Sequence, residues 1–288
     1  MEGAYYNGQY LNRLERLGYS QAEIDNKLES TFEEMFYGPE GVRLCHFAGP
    51  DMMYIEDTGN HDVRTEGMSY AMMFCVQMNR QKEFDCLWRW VVTHMYLTEG
   101  ENAGYFAWSC HTDGSKNSDG PAPDGEEFFA MSLFFAANRW GSGEGVLDYA
   151  SWARRILHAC VHKGEEAGSG FPMWNPENHL IKFVPNCEFT DPSYHLPHFY
   201  ELFALWSDEC DRPFWHAAAA ASRQYLRKAC HARTGLSAEY AEYDGRPHRG
   251  DQPDRHDWFF SDAYRTLGNI ALDAQWFGDK DGWAQETA

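Results

Sequence analysis

Apolar residues recur at helical spacing along most of the chain, in segments that come in pairs joined by short turns. That pairing constrains the fold more than any other feature. A helix with an apolar stripe must bury it against a neighbour, and across a short turn the neighbour is antiparallel. Tyr6 to Leu17 reads as a helix closed by Gly18, and Ser20 with Glu23 forms a capping box opening a second helix that ends near Phe36. Residues 62–79 are strongly apolar, and 82–97 follow after a short turn. Residues 124–140 and 148–163 make another pair, each ended by a glycine, Gly141 and Gly164. A further hairpin spans 195–209 and 212–230, with Asp211 as N-cap and Pro213 in the first turn. The last helix is predicted from about Asp257 to Phe277, and strand signal is confined to LIKFV at 180–184.

Hairpins that alternate very apolar and amphipathic members pack side by side with the apolar helices inside. This predicts an all-α fold, an (α/α) toroid of helical hairpins, as a single domain over residues 1–288. A six-hairpin barrel needs twelve helices and nine are counted, so the sequence reads as C-terminally incomplete, lacking the last helices of the barrel. An open toroid leaves apolar flanks in water, at a cost comparable with the net stability of a domain, roughly 5–15 kcal/mol. A second polypeptide or a neighbouring copy, packed on the first and last hairpins, is therefore expected to complete it.

The formal net charge is -20. Such a surface repels phosphate backbones and anionic headgroups, which argues against nucleic acid and membrane partners. No stretch reaches the roughly 18 consecutive apolar residues of a membrane span. The opening MEGAYYNGQYLNRL has no basic segment followed by an apolar run. The eight cysteines include no C-x-x-C pair, and Cys75, Cys86 and Cys160 fall on apolar helix faces. Free, buried thiols in a reducing compartment, the cytoplasm, are the expectation.

Three acidic residues stand at or near helix starts: Glu66 in DVRTEGMSYAMM, Asp124 in PAPDGEEFFAMSLFF and Asp262 in HDWFFSDAYR. Singly, each is explained by capping and the helix macrodipole. Together they differ from ordinary caps, because each adjoins unusually apolar sequence. The long loops 98–123, 164–194 and 232–256 are the places where a helical scaffold carries function. They bring Tyr105, Trp108 and Tyr194, rings with polar tips that suit sugar faces. Glycoside hydrolysis needs such equipment: one carboxylic acid protonates the departing oxygen while a second carboxylate activates water on the other face of the sugar. Glu126, Glu127 and Asp257 are competing carboxylates, assigned to helix surfaces or caps. His158, Cys160 and His162, or His195 and His198, invite a metal reading, and the i,i+4 spacing of His158 and His162 suits zinc. No H-E-x-x-H motif or cysteine pair accompanies them, so neither metal nor cofactor is expected.

The segment APDGEEFFAMSLFFAANRW (122–140) resembles the signature of glycoside hydrolase family 8, through Ala122, Asp124, Gly125, Ala130, Ser132, Leu133, Ala136 and Trp140. RTEGMSYAMM is similar to the acid-bearing segment of that family, and SDAYR to its base segment. The wording DVRTEGMSY, GYFAWSC, PAPDGEEFFA, DPSYHLPHFYELF and FFSDAYR resembles one branch, which releases xylose from the reducing end of short β-1,4-xylo-oligosaccharides; Pro123 and Glu126, which depart from the general signature, fit that branch. The resemblance implies an inverting hydrolase with Glu66 as general acid and Asp262 as general base. It implies Asp124 holding the distorted sugar, Tyr194 helping to hold the attacking water, and Arg64 and Trp108 lining the same subsite; Tyr105, by its place in the loop, is a further substrate-binding candidate. An endo-acting xylanase or β-glucanase of the same family, and a non-catalytic carbohydrate-binding toroid, are the competing readings.

Overall fold

Ser20 and Glu23 satisfy each other's backbone as their spacing predicts. Glu23 N–H donates to Ser20 Oγ at 3.3 Å and Ser20 N–H to Glu23 Oε2 at 2.8 Å, opening α3 (Gln21–Tyr37). The computed structural model describes residues 2–165, 169–250 and 255–287. Ahead of α3, the expected helix from Tyr6 to Leu17 is two single turns, α1 (Ala4–Asn7) and α2 (Arg13–Arg16). Gly8 in the left-handed region (φ 69°) ends the first, and the Asn12 side chain, accepting from the Leu14 and Glu15 amides, begins the second.

Three helical hairpins follow as predicted. They are α4 (Thr65–Gln77) with α5 (Gln81–Trp90), α6 (Pro123–Trp140) with α7 (Tyr149–His162), and α8 (Pro197–Trp206) with α9 (Arg212–Ala229). Helix α5 runs on into a π-helical turn, Val91–Met95. The second hairpin partner carries a stripe: Trp152, Ala153, Ile156, Leu157, Cys160 and Val161 are buried on α7, and Trp215, Ala218, Ala219, Ser222, Tyr225 and Leu226 on α9. The first partner is apolar nearly all round. On α6 Phe129, Ala130, Met131, Leu133 and Ala136 are fully buried. Apolar helices α4, α6 and α8 therefore lie inside and amphipathic ones outside, since only a helix covered on every side can afford no polar face.

Three expectations fail. The last long helix is α10 (Arg265–Phe277), entered through a 3-10 turn, Ser261–Tyr264, instead of starting near Asp257. Ser261 takes φ 43°, a left-handed conformation that cannot continue a helix. LIKFV forms no strand, because it folds back on residues 173–175 through Lys182 N–H to the Met173 carbonyl and Asn175 N–H to the Leu180 carbonyl. Four strands of three residues, β1 (Cys45–Phe47), β2 (Met53–Ile55), β3 (Asp62–Arg64) and β4 (Ser109–His111), were too short to show alternation in the sequence. They pair antiparallel as β1–β2 and β3–β4.

The first and last described segments touch each other directly. Tyr5 packs on Phe277 with ring centroids 5.1 Å apart, and Glu2 forms a bridge with Gly278. Large apolar side chains that stay exposed include Tyr10, Leu14 and Leu17 at one end, and Trp258, Phe259, Phe260 and Tyr264 near the other. Helix α11 (Trp283–Thr287) packs on α10. All eight cysteines are free, six of them buried. No described helix is long and apolar enough to cross a membrane.

Helices α4 and α6 meet at their first turns because residue 125 has no side chain. A Cβ there would stand 2.5 Å from Thr65 Cβ. Alanine would gain at most about 1 kcal/mol in helix propensity, while the clash costs about 1–3 kcal/mol. Gly125→Ala should therefore lower the urea midpoint with an unchanged m value; a raised midpoint would mean that the two helices are free to separate.

Candidate active site

Each of the three acids Glu66, Asp124 and Asp262 sits where a helix begins. Glu66 is the second residue of α4, Asp124 the second residue of α6, and Asp262 lies in the turn that leads into α10. Tyr194 ends the 3-10 turn Pro192–Tyr194 just before α8. The β3–β4 pair brings the 98–123 loop to the same end. Arg64 pairs with Ser109, and Thr65 N–H donates to the Trp108 carbonyl at 3.0 Å.

Arg265 ties these starts together. Its Nη1 donates to Asp124 Oδ2 at 2.9 Å and to the Tyr70 hydroxyl at 2.6 Å. Nη2 stands 2.9 Å from Asp262 Oδ2, at ion-pair distance but outside hydrogen-bond alignment. The guanidinium also lies over the Tyr194 ring, 5.8 Å from its centroid. One cation thus holds α10 against α4, α6 and the turn before α8.

The carboxyls differ in surroundings. Asp124 is 2 % exposed, accepting from Gly125 N–H as well as from Arg265. Burial still lifts its carboxyl above the usual range, against the pull of Arg265. Glu66 is partly buried and has no such partner; its Oε2 is enclosed without a hydrogen bond among the described residues. Burial first, and the charge of Asp124 second, push the Glu66 carboxyl up to about 7. Asp262 is the open one, with 40 % of its side chain exposed. Tyr194 is buried, and burial together with the surrounding carboxylates pushes its hydroxyl far up, so it stays a neutral donor. Trp108 is half-buried under the Arg64 guanidinium, 5.2 Å from the ring centroid. Arg64 is oriented by Asp62, whose other oxygen accepts from Ser109. A cavity of about 200 Å³ opens beside Trp108, between Glu101, Asn102, Phe171 and Asn186.

Some expectations do not fit. Tyr105 is fully buried, its hydroxyl 3.1 and 2.9 Å from the Ala159 and Phe171 carbonyls, so it packs loops together and presents no face to a ligand. Glu126 and Glu127 are buried too, not on a helix surface, because α6 is covered on all sides. Glu126 accepts from Phe106 N–H at 3.0 Å, and Glu127 from the Tyr200 hydroxyl, which also reaches the Tyr194 carbonyl. Asp257 lies 4.0 Å from Arg249. His195 is held between Thr190 and Ser222 hydroxyls, a packing role. Three neighbours of the acids drew no assignment from sequence. Arg265 was visible three residues after Asp262, and Tyr70 one helical turn after Glu66. Asp191, fully buried and accepting from Ser193 N–H at 2.7 Å, gave no local signal.

A protonated carboxyl in a dry place, beside an open carboxylate and an aromatic ring, is the apparatus of a glycoside hydrolase. Residues 19–287 match glycosyl hydrolases family 8, and the chain belongs to that family. It is 55% identical over 286 residues to a reducing end xylose-releasing exo-oligoxylanase of Halalkalibacterium halodurans, covering 99% of this chain and 73% of that protein. It is 57% identical to the Paenibacillus barcinonensis reducing-end xylose-releasing exo-oligoxylanase, covering 98% and 74%. The structure of the latter complexed with xylose superposes with a TM-score of 0.96 at 56% identity, over 99% of this chain and 75% of that one. The family relation agrees with the helix-rich architecture.

Removing the charge of Asp124 should make Glu66 more acidic. In Asp124→Asn the midpoint for ionisation of Glu66, near 7 in the parent protein, should fall. Carbon-13 NMR of glutamate-labelled protein, assigned with Glu66→Gln, reads it directly; an unmoved midpoint would remove Asp124 as the neighbour that tunes it.

Proposed function

We propose that this glycoside hydrolase cleaves short β-1,4-xylo-oligosaccharides with inversion, releasing xylose from the reducing end. The raised carboxyl of Glu66 beside the open carboxylate of Asp262 carries this reading. Glu66 keeps its proton near neutrality and delivers it to the glycosidic oxygen. Asp262, wetter and paired loosely with Arg265, takes the proton of a water that attacks the anomeric carbon from the opposite face. Asp124 and Arg64 hold hydroxyls of the sugar next to the cleaved bond, Trp108 stacks on its ring, and Tyr194 steadies the water.

The named relatives support the substrate and the end preference. Identity above 50% to two exo-oligoxylanases outweighs 26% to endoglucanase A of Acetivibrio thermocellus, so the endo-acting reading is the weaker one. The proposal treats residues 1–288 as one catalytic (α/α) domain. It places the enzyme in the cytoplasm, a compartment suited to eight free thiols.

Xylotriose labelled with oxygen-18 at its reducing-end anomeric carbon tests the proposal. Mass spectrometry should find the label in xylose, and early NMR spectra should show the new end of xylobiose as the α anomer. Label in xylobiose would refute the end preference, and a β product would refute inversion. Activity should decline as pH rises through about 7, where Glu66 loses its proton.

Glu66→Ala should slow hydrolysis of xylo-oligosaccharides by about 10²–10⁴-fold. Xylosyl fluoride, whose leaving group needs little protonation, should suffer far less. Equal losses on both would take the acid role away from Glu66.

A further inference from the structure

On the outside of the helical layer, His158 and His162 stand one turn apart on α7, on the side away from its buried stripe. Both rings turn toward Asp211, the residue that precedes α9. His158 Nδ1 lies 3.3 Å from Asp211 Oδ2, and His162 Nε2 lies 2.7 Å from Asp211 Oδ1. These ligand atoms all lie within 4.8 Å of one another. Asp211 occupies the N-cap position of α9, yet its carboxylate makes no capping hydrogen bond. It points at the histidines and is 1% exposed. Two further groups complete the surroundings. Cys210 Sγ stands 3.2 Å from Asp211 Oδ1, and Glu165 Oε2 stands 2.7 Å from the other ring nitrogen of His162.

We propose that His158, His162 and Asp211 form a zinc-binding site, its fourth position left to water, that clamps the α6–α7 hairpin to the α8–α9 hairpin. Two imidazole nitrogens and a carboxylate, with one water, are a donor set that zinc accepts in tetrahedral geometry and that calcium and magnesium, which take oxygen ligands, disfavour. The two ring centroids are 4.5 Å apart, and both rings present a nitrogen to the same carboxylate. A divalent ion would accept a lone pair from each ring and from the carboxylate that both rings face. Glu165 then plays the outer carboxylate that fixes the tautomer of a metal-bound histidine. An entry path exists, a shallow groove lined by Ser151, Arg154, Arg155, His158 and Asp208. None of these residues belongs to the acid cluster, so the site is structural and distinct from hydrolysis. Cys160, which the sequence places between the histidines, faces the core against Met173 and takes no part.

Tag-free protein stripped with chelator should bind one equivalent of zinc chloride by calorimetry, and zinc should raise its melting temperature. Cobalt(II) should give the intense visible bands of a tetrahedral site, lost in His162→Asn. Affinity should drop at least about 10-fold in His162→Asn and Asp211→Asn, and about 10–100-fold in Glu165→Gln. Should Asp211→Asn fail to fold, His158→Asn, altering a half-exposed side chain, carries the test. Absence of saturable zinc uptake, or uptake undiminished in the folded histidine variants, would overturn the proposal.

Discussion

A guanidinium cannot lose its proton in a protein, so once Arg265 is enclosed its charge must be met by acids. It is met by Asp124 on one side and Asp262 on the other, while Tyr70 shares the first nitrogen. These contacts bring three separate stretches of chain to one point, and they allot the charge unequally. Asp124 receives an aligned, buried hydrogen bond, and Asp262 receives a partly hydrated ion pair. Glu66 receives no such contact and sits where burial and a neighbouring carboxylate both favour its protonated form. The contrast between a carboxyl pushed toward its protonated form and an open, ion-paired one thus follows from where one cation is placed.

That placement depends on packing. The inner helices can meet at their starts only if the first turns are bare of bulk, which Gly125 against Thr65 provides. They can be inner helices only because they are apolar on every face, with amphipathic α7 and α9 shielding them from water. Buried Glu126 and Glu127 within α6 look like exceptions, but each has a donor, the Phe106 amide and the Tyr200 hydroxyl. Through Tyr200 the second of these braces the Tyr194 carbonyl, so the polar interior of α6 also supports the site. The loops follow the same logic. Thr190 and Ala241 exchange backbone hydrogen bonds, and Phe183 packs on Tyr240 with ring centroids 4.3 Å apart, which locks 183–190 to 240–241.

Much of this was legible in the sequence, and the exceptions have physical causes. Three of the hairpins and the capping box at Ser20 are set by spacing within a few residues and appear where expected, and α6 begins within one residue of 124. Local wording singles out Glu66, Asp124, Asp262, Tyr194, Trp108 and Arg64, and the structure brings their segments together. Tyr105 was misjudged because a tyrosine in a long loop has the same sequence whether it faces a ligand or two buried carbonyls. Asp211 was read correctly as an N-cap position, but only the partner helix determines that its carboxylate turns to His158 and His162.

The sequence by itself determined the helical pairs, the inner and outer faces, and the residue types available for acid–base chemistry, since these rest on periodicity and on neighbours within a turn or two. Which acid holds a proton was decided only by the tertiary structure. Ionisation depends on distance to other charges and on exclusion of water, and both are fixed by residues far apart in the chain: Glu66 beside Asp124, and Arg265 between Asp124 and Asp262.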